Sequence, residues 1–224
     1  MLRFGLSRWR ACAVAAGMVV CAAVSPAAVA RSTAAPLKAD LRADEASPEV
    51  RRIAQWAIDA NDAAGLPFVI VDKRNARVFV FDAQGQLRGS SPALVGAASG
   101  DDSVPDIGKR AIADIRPEER TTPAGRFTAT MGRGPKGEDI LWVDYDLAIA
   151  LHRVVTHVPQ ERRLERLASK FAADRRITYG CINVPVSFYE SVVRPAFSDT
   201  RGIVYILPES KPPQDVFEAA FRPR

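Results

Sequence analysis

From residue 68 onward the apolar pattern of the chain takes a period of two, in short runs broken by turn residues. Residues 68–72 read FVIVD and residues 77–82 read RVFVFD, with a turn at Asn75 between them. Successive side chains of a strand point to opposite faces, so runs this short and this rich in Val, Ile and Phe predict strands rather than helix. Residues 82–86 make the next turn, and residues 87–96 read as a third strand. Phe127, Ala129 and Met131 alternate after the turn in TTPAGRF, residues 140–145 and 147–152 read as two more strands, and residues 202–207 as a last apolar one. The expected fold class is mainly β with peripheral helices, in one sandwich- or barrel-like domain.

The helices are fewer. Val50, Ile53, Ala54, Ala57 and Ile58 share one face of a helix over residues 49–60, with Ser47 as its cap and Pro48 in its first turn. Leu164, Leu167, Ala168, Phe171 and Ala172 form the stripe of a second helix over residues 161–172, whose outer side carries Arg162, Arg163, Arg166 and Lys170. A third covers residues 186–193 and stops at Pro195, and a short one lies at residues 216–221. Residues 100–120 are polar and aperiodic, a long surface loop. Residues 132–137 hold three glycines but lack the GK[S/T] ending of a phosphate loop.

The first thirty residues read differently. Arg3, Arg8 and Arg10 precede an apolar run at residues 11–24, too short for a comfortable membrane span, and Ala28-Val29-Ala30 suits a signal peptidase. Cleavage is expected after Ala30, giving an exported chain. Val20 stands where a lipidated Cys21 would need a small residue, which argues against a lipid anchor. The formal charge of +5 loses three arginines and no acidic residue with this leader, so the basic balance is weak evidence for a nucleic-acid partner. Cys12 and Cys21 leave as well. Cys181 then has no internal disulfide partner, and a lone thiol in an exported chain is a candidate reactive group.

The surroundings of Cys181 fit that role. Residues 176–185 read RITYGCINVP. Gly180 permits a sharp turn, and the backbone N–H groups of Tyr179, Gly180 and Cys181 are candidate oxyanion donors. Asn183 is the expected cap of the following helix, whose positive end would face the sulfur. A thiol nucleophile needs a base, and the chain has two histidines. His152 ends a strand on the same face as Ala148 and Ala150, with room beside it, whereas His157 lies in the next loop. Two histidines and one cysteine at these spacings match no common zinc pattern, and no cofactor is expected.

Four stretches in order, VDKRNARVFVFD, TPAGRF, ALHR and TYGCIN, resemble the L,D-transpeptidase (YkuD-like) catalytic domain over residues 68–207. The resemblance implies that Cys181 attacks a peptidoglycan stem peptide with His152 as base, that the Arg153 carbonyl orients the histidine, and that Tyr179 and Gly180 shape the oxyanion site. It places Thr178 and Asn183 at the substrate. Tyr179 replaces the histidine usual before Gly-Cys, and the helix at residues 161–172 lengthens the spacing between His152 and Cys181. The division that follows is a signal peptide at 1–30, a leader and helix at 31–66, the catalytic domain at 67–207 and a tail at 208–224. The implied place is the periplasm or cell envelope, with peptidoglycan stem peptides as partners and an amine, an envelope protein or water as acyl acceptor. Alternatives are an L,D-carboxypeptidase, a non-catalytic peptidoglycan-binding module and an unrelated secreted cysteine peptidase.

Overall fold

The structure is a computed structural model that describes residues 46–222. The expected leader, its cleavage site, Cys12 and Cys21 lie outside the described residues. Among the described residues there are ten strands: β1 (Phe68–Asp72), β2 (Arg77–Phe81), β3 (Leu87–Pro92), β4 (Val95–Gly96), β5 (Gly125–Arg133), β6 (Asp139–Asp144), β7 (Ile149–Arg153), β8 (Arg176–Thr178), β9 (Ile182–Val184) and β10 (Gly202–Ile206). Eight of them form one sheet in the order β3-β2-β1-β10-β5-β6-β7-β9, and β4 pairs with β8. Just beyond β3, Leu94 exchanges two backbone hydrogen bonds of 2.8 and 2.9 Å with Asn183 of β9. The two ends of the sheet therefore meet, and the fold is a nearly closed, mainly β barrel with few helices.

Period two decides which side chains fill it. Val69 and Val71 of β1, Val78 and Val80 of β2, and Val204 and Ile206 of β10 belong to the same core as Leu141, Leu151, Ile182 and Val184. The alternate residues Phe68, Ile70, Phe79, Phe81, Ile203 and Tyr205 face a second core. That core is covered by α1 (Pro48–Asp59), which buries Val50, Ile53, Ala54 and Ala57. Ser47 caps α1 by accepting the Val50 N–H at 3.3 Å, with Pro48 in the first turn.

Four elements depart from the pattern read in the sequence, each for a local reason. The strand expected over residues 87–96 breaks into β3 and β4 because Leu94 turns aside to bridge Asn183. Leu147 does not belong to β7. Asp144 Oδ1 accepts its N–H at 2.9 Å, and Ala148 turns left-handed (φ 53°), so the strand starts at Ile149. The helix expected over residues 161–172 is cut to α2 (Arg163–Ala168), between a left-handed Arg162 (φ 50°) and an extended Ser169. Of its apolar stripe only Leu167 is buried, and Leu164 and Phe171 are exposed. The helix expected to stop before Pro195 instead continues: α3 (Val186–Phe188), a π turn over Tyr189–Val193 and α4 (Arg194–Phe197) follow one another. A proline lacks an N–H and crowds the carbonyl four residues back; the wide turn, in which the Arg194 N–H reaches Tyr189 O, makes room for it. Tyr189, Val193 and Phe197, four residues apart, all enter the core. The tail carries α5 (Pro213–Val216) and α6 (Glu218–Phe221). No helix among the described residues is long and apolar enough to cross a membrane.

A buried ion pair fastens the long loop to the barrel. Lys73, directly after β1, donates from Nζ to Gly100 O (2.5 Å), Asp101 Oδ1 (2.7 Å) and Thr122 O (2.8 Å), so all three ammonium protons are used. Asp101 also accepts the N–H groups of Glu209, Ser210 and Lys211 and the Ser210 hydroxyl. These bonds hold its carboxyl well below the ordinary carboxylate range. Nothing in the pattern of residues 100–120 announced this anchor. The loop is organised by it and by three short 3₁₀ turns.

Candidate functional site

β7 and β9 lie side by side in parallel, with Leu151 opposite Ile182, His152 opposite Asn183 and Arg153 opposite Val184. Ile149, Leu151, Ile182 and Val184 point into the core. Alternation therefore sends Ala150, His152, Cys181 and Asn183 to the other face. Cys181 and His152 are diagonal neighbours there, since Cys181 precedes the partner of His152 by two residues.

The bonds made by His152 fix its tautomer. Nδ1 lies 2.8 Å from the Arg153 carbonyl oxygen, which can only accept, so Nδ1 carries the proton. Nε2 lies 3.1 Å from Asn183 Nδ2. The amide cannot be turned the other way round, because Asn183 Oδ1 accepts from Arg163 Nη1 at 2.7 Å, and a guanidinium has no acceptor to offer an amide N–H. Burial lowers the pKa of His152, and the nearby Arg163 charge adds to this. The ring is thus neutral, with its lone pair on Nε2. The Arg153 carbonyl, by accepting the Nδ1–H, fixes the orientation of the ring. The Arg153 side chain has a separate task, pairing with Asp139 and Glu190 and lying 4.1 Å over the Tyr189 ring.

The half-buried Cys181 thiol hydrogen bonds to Ala148 O at 3.6 Å and does not pair with the histidine. Burial pushes its pKa up; the Ala150 N–H and the Arg163 charge oppose that shift. The thiol therefore rests protonated. Asn183, expected as a helix cap, is instead a buried residue of β9, and Pro185 occupies the position before α3. His157 is exposed in the loop after β7.

The turn carrying Cys181 is held from three sides. Gly180 has φ +132°, and a Cβ there would lie 2.7 Å from Ile149 Cδ1 and 2.8 Å from Thr121 O, so only glycine fits. Thr178, expected at the substrate, is buried; its hydroxyl donates to Cys181 O (2.7 Å) and accepts the Gly180 N–H (3.2 Å). That N–H is consequently spent within the turn, and the Tyr179 and Cys181 N–H groups remain as candidate oxyanion donors. Thr122 donates to Gly180 O at 2.8 Å and accepts the Gly96 N–H at 2.9 Å. Tyr179 is half-buried, with the Arg120 guanidinium 4.2 Å from its ring centre.

Sequence reasoning missed Thr122 and Arg163 as parts of this site. Thr122 stands in the quoted TTPAGRF turn, but pairing with a residue 58 positions away leaves no local mark. In the sequence Arg163 is one of four cations on a helix face and nothing singles it out; its side chain is 12 % exposed and also pairs with Glu161 at 2.5 Å. A cavity of about 190 Å³, bordered by Thr156, Val158, Pro159 and Leu164, opens beside it. Among the described residues no group of three or more His, Cys, Asp or Glu is placed to hold a metal ion. No family model matches the chain, and neither does any curated protein.

Proposed function

We propose that the chain is an exported cysteine acyltransferase of the L,D-transpeptidase (YkuD-like) type, acting on peptidoglycan stem peptides in the cell envelope. The observation that carries this reading is a neutral imidazole with a basic Nε2 on the same face of adjacent strands as a lone thiol, offset by two residues. In the proposed reaction Asn183 releases Nε2, which takes the Cys181 proton while Nδ1–H stays on the Arg153 carbonyl. The thiolate adds to an amide carbonyl of the stem peptide, and the oxyanion is met by the main-chain N–H groups of Tyr179 and Cys181. The imidazolium returns its proton to the leaving amine, and a thioester remains. A second amine then takes the acyl group and frees the thiol. With water as acceptor the same steps make an L,D-carboxypeptidase. This chemistry uses no cofactor.

A second reading, a peptidoglycan-binding module without catalysis, draws support from one observation: the base is occupied by Asn183 and the thiol rests protonated. Intact mass after exposure to a carbapenem separates the two. The enzyme gains one covalent adduct, which is lost in Cys181→Ala, and the binding module gains none. Incubation with a stem tetrapeptide and an acceptor amine then identifies the product as cross-linked dimer or as hydrolysed tripeptide.

A further inference from the structure

The segment between β7 and β8 does more than lengthen the chain, because one of its side chains enters the hydrogen-bond sequence that ends on His152. We propose that Arg163 is a positioning residue: by holding Asn183 Oδ1 it aims the Asn183 N–H at His152 Nε2 and keeps that nitrogen unprotonated. The inference rests on the reading of His152 as the base.

Three observations carry it. Arg163 Nη1 lies 2.7 Å from Asn183 Oδ1, and Asn183 Nδ2 lies 3.1 Å from Nε2. The Arg163 side chain is 12 % exposed, and its Nε donates to Glu161 Oε2 at 2.5 Å. Asn183 is buried in β9, so its amide has no water to turn to in place of these partners. An amide is nearly symmetric in shape, and only its partners decide which end faces where. Without Arg163 the amide is free to turn, and Oδ1 would then accept a proton-bearing Nε2 and favour the imidazolium. The other charged or titratable groups facing the ring do not supply this control. Arg153, on β7 itself, is neutralised by Asp139 and Glu190. Glu138, from the turn before β6, favours the charged ring. Cys181, from β9, bonds to Ala148 O.

The test is ¹⁵N NMR titration of the full chain, in which only His152 and His157 contribute imidazole signals. The wild-type His152 is expected to show an unprotonated Nε2 and to titrate below the ordinary histidine value. In Arg163→Met its midpoint rises by about one pH unit, the size of shift that a lost neighbouring charge and a reversed hydrogen bond produce together. Arg163→Lys restores part of the difference, because an ammonium also donates to Oδ1. An unmoved His152 midpoint in folded Arg163→Met overturns the inference. So does a wild-type ring with its proton on Nε2, a result that needs no variant to fold. A chain that titrates as expected yet takes no carbapenem retains the role of Arg163 and loses the acyltransferase reading.

Discussion

Strands β1, β2 and β10 and strands β7 and β9 belong to one sheet and are built to opposite ends. All five residues of β1 and of β10 are buried, because α1 covers the face that the barrel interior does not. In β7 and β9 only the inner face is apolar; the outer face carries a hydrogen-bonded sequence from Arg163 through Asn183 and His152 to a backbone carbonyl. Buried apolar area stabilises the first region, at roughly 25 cal/mol per Å². The second depends on orientation, and a buried polar group there is costly unless every partner is present. On the proposed function, stability and chemistry fall to different strands, and each can be perturbed while the other is watched.

The largest effect expected falls on the two-sided strands. Phe81 is fully buried and its ring stacks on Phe68 with centroids 4.5 Å apart. Phe81→Ala removes that ring from a core closed on both sides, and about 3–5 kcal/mol of unfolding free energy should go with it. Urea denaturation measures the loss. Carbapenem acylation per folded molecule should stay at the wild-type rate; if it falls in step with stability, the two regions are not separable.

The next effect concerns the piece that joins them. Lys73, at the end of β1, donates to Thr122 O, and Thr122 donates to Gly180 O beside the thiol. Asp101 holds Lys73 in place. Its carboxyl has a lower pKa folded than the value of about 3.9 of an unfolded chain. A depressed carboxyl contributes stability that is present above the unfolded value and is lost as pH falls through the folded one. Acidification from pH 6 to pH 2 should therefore cost on the order of 2–3 kcal/mol through this group. Asp101→Asn should flatten the acid limb of the stability curve by that amount relative to wild type. Equal limbs in the two proteins would show that the ion pair does not couple the regions.

The same contrast explains what could be read in the sequence. β1 and β2 were legible because a strand buried on both faces takes large apolar residues at nearly every position, all but Asp72 and Arg77 here, and α1 because Ser47, Pro48 and a 3.6-residue stripe agree. Cys181 and His152 stood out as residue types with few rivals. The links between them were not legible: Arg163 lies 20 positions from Asn183, and Thr122 lies 58 from Gly180. Such pairings are set by strand order, which no local pattern encodes. Asn183 was misread as a helix cap for a related reason. The residue type suits a cap, but pairing with both Leu94 and β7 outweighs one capping bond. The helix at residues 161–172 failed where its apolar stripe had nothing to pack against, leaving Phe171 73 % exposed.

The smallest effect is expected at Tyr179, where the main chain and the side chain of one residue can be told apart. The ring packs against Arg120, and among the described residues its hydroxyl makes no hydrogen bond. The main chain leads into the Gly180 turn, whose geometry is fixed by Thr178, Thr122 and Ile149 rather than by the phenol. Tyr179→Phe keeps the ring and its cation contact, worth about 0.5–1 kcal/mol at a part-exposed site. It removes only a group with nothing to hold in this geometry. Acylation by carbapenem and turnover of a stem tetrapeptide should both remain within about threefold of wild type. A hydroxyl that orients the substrate or meets the oxyanion would instead cost about a hundredfold or more, the loss seen when a positioned donor is removed. A drop of that size with the fold intact would move Tyr179 from the scaffold of the turn to the reacting groups and give the outer face of β7 and β9 one more chemical participant.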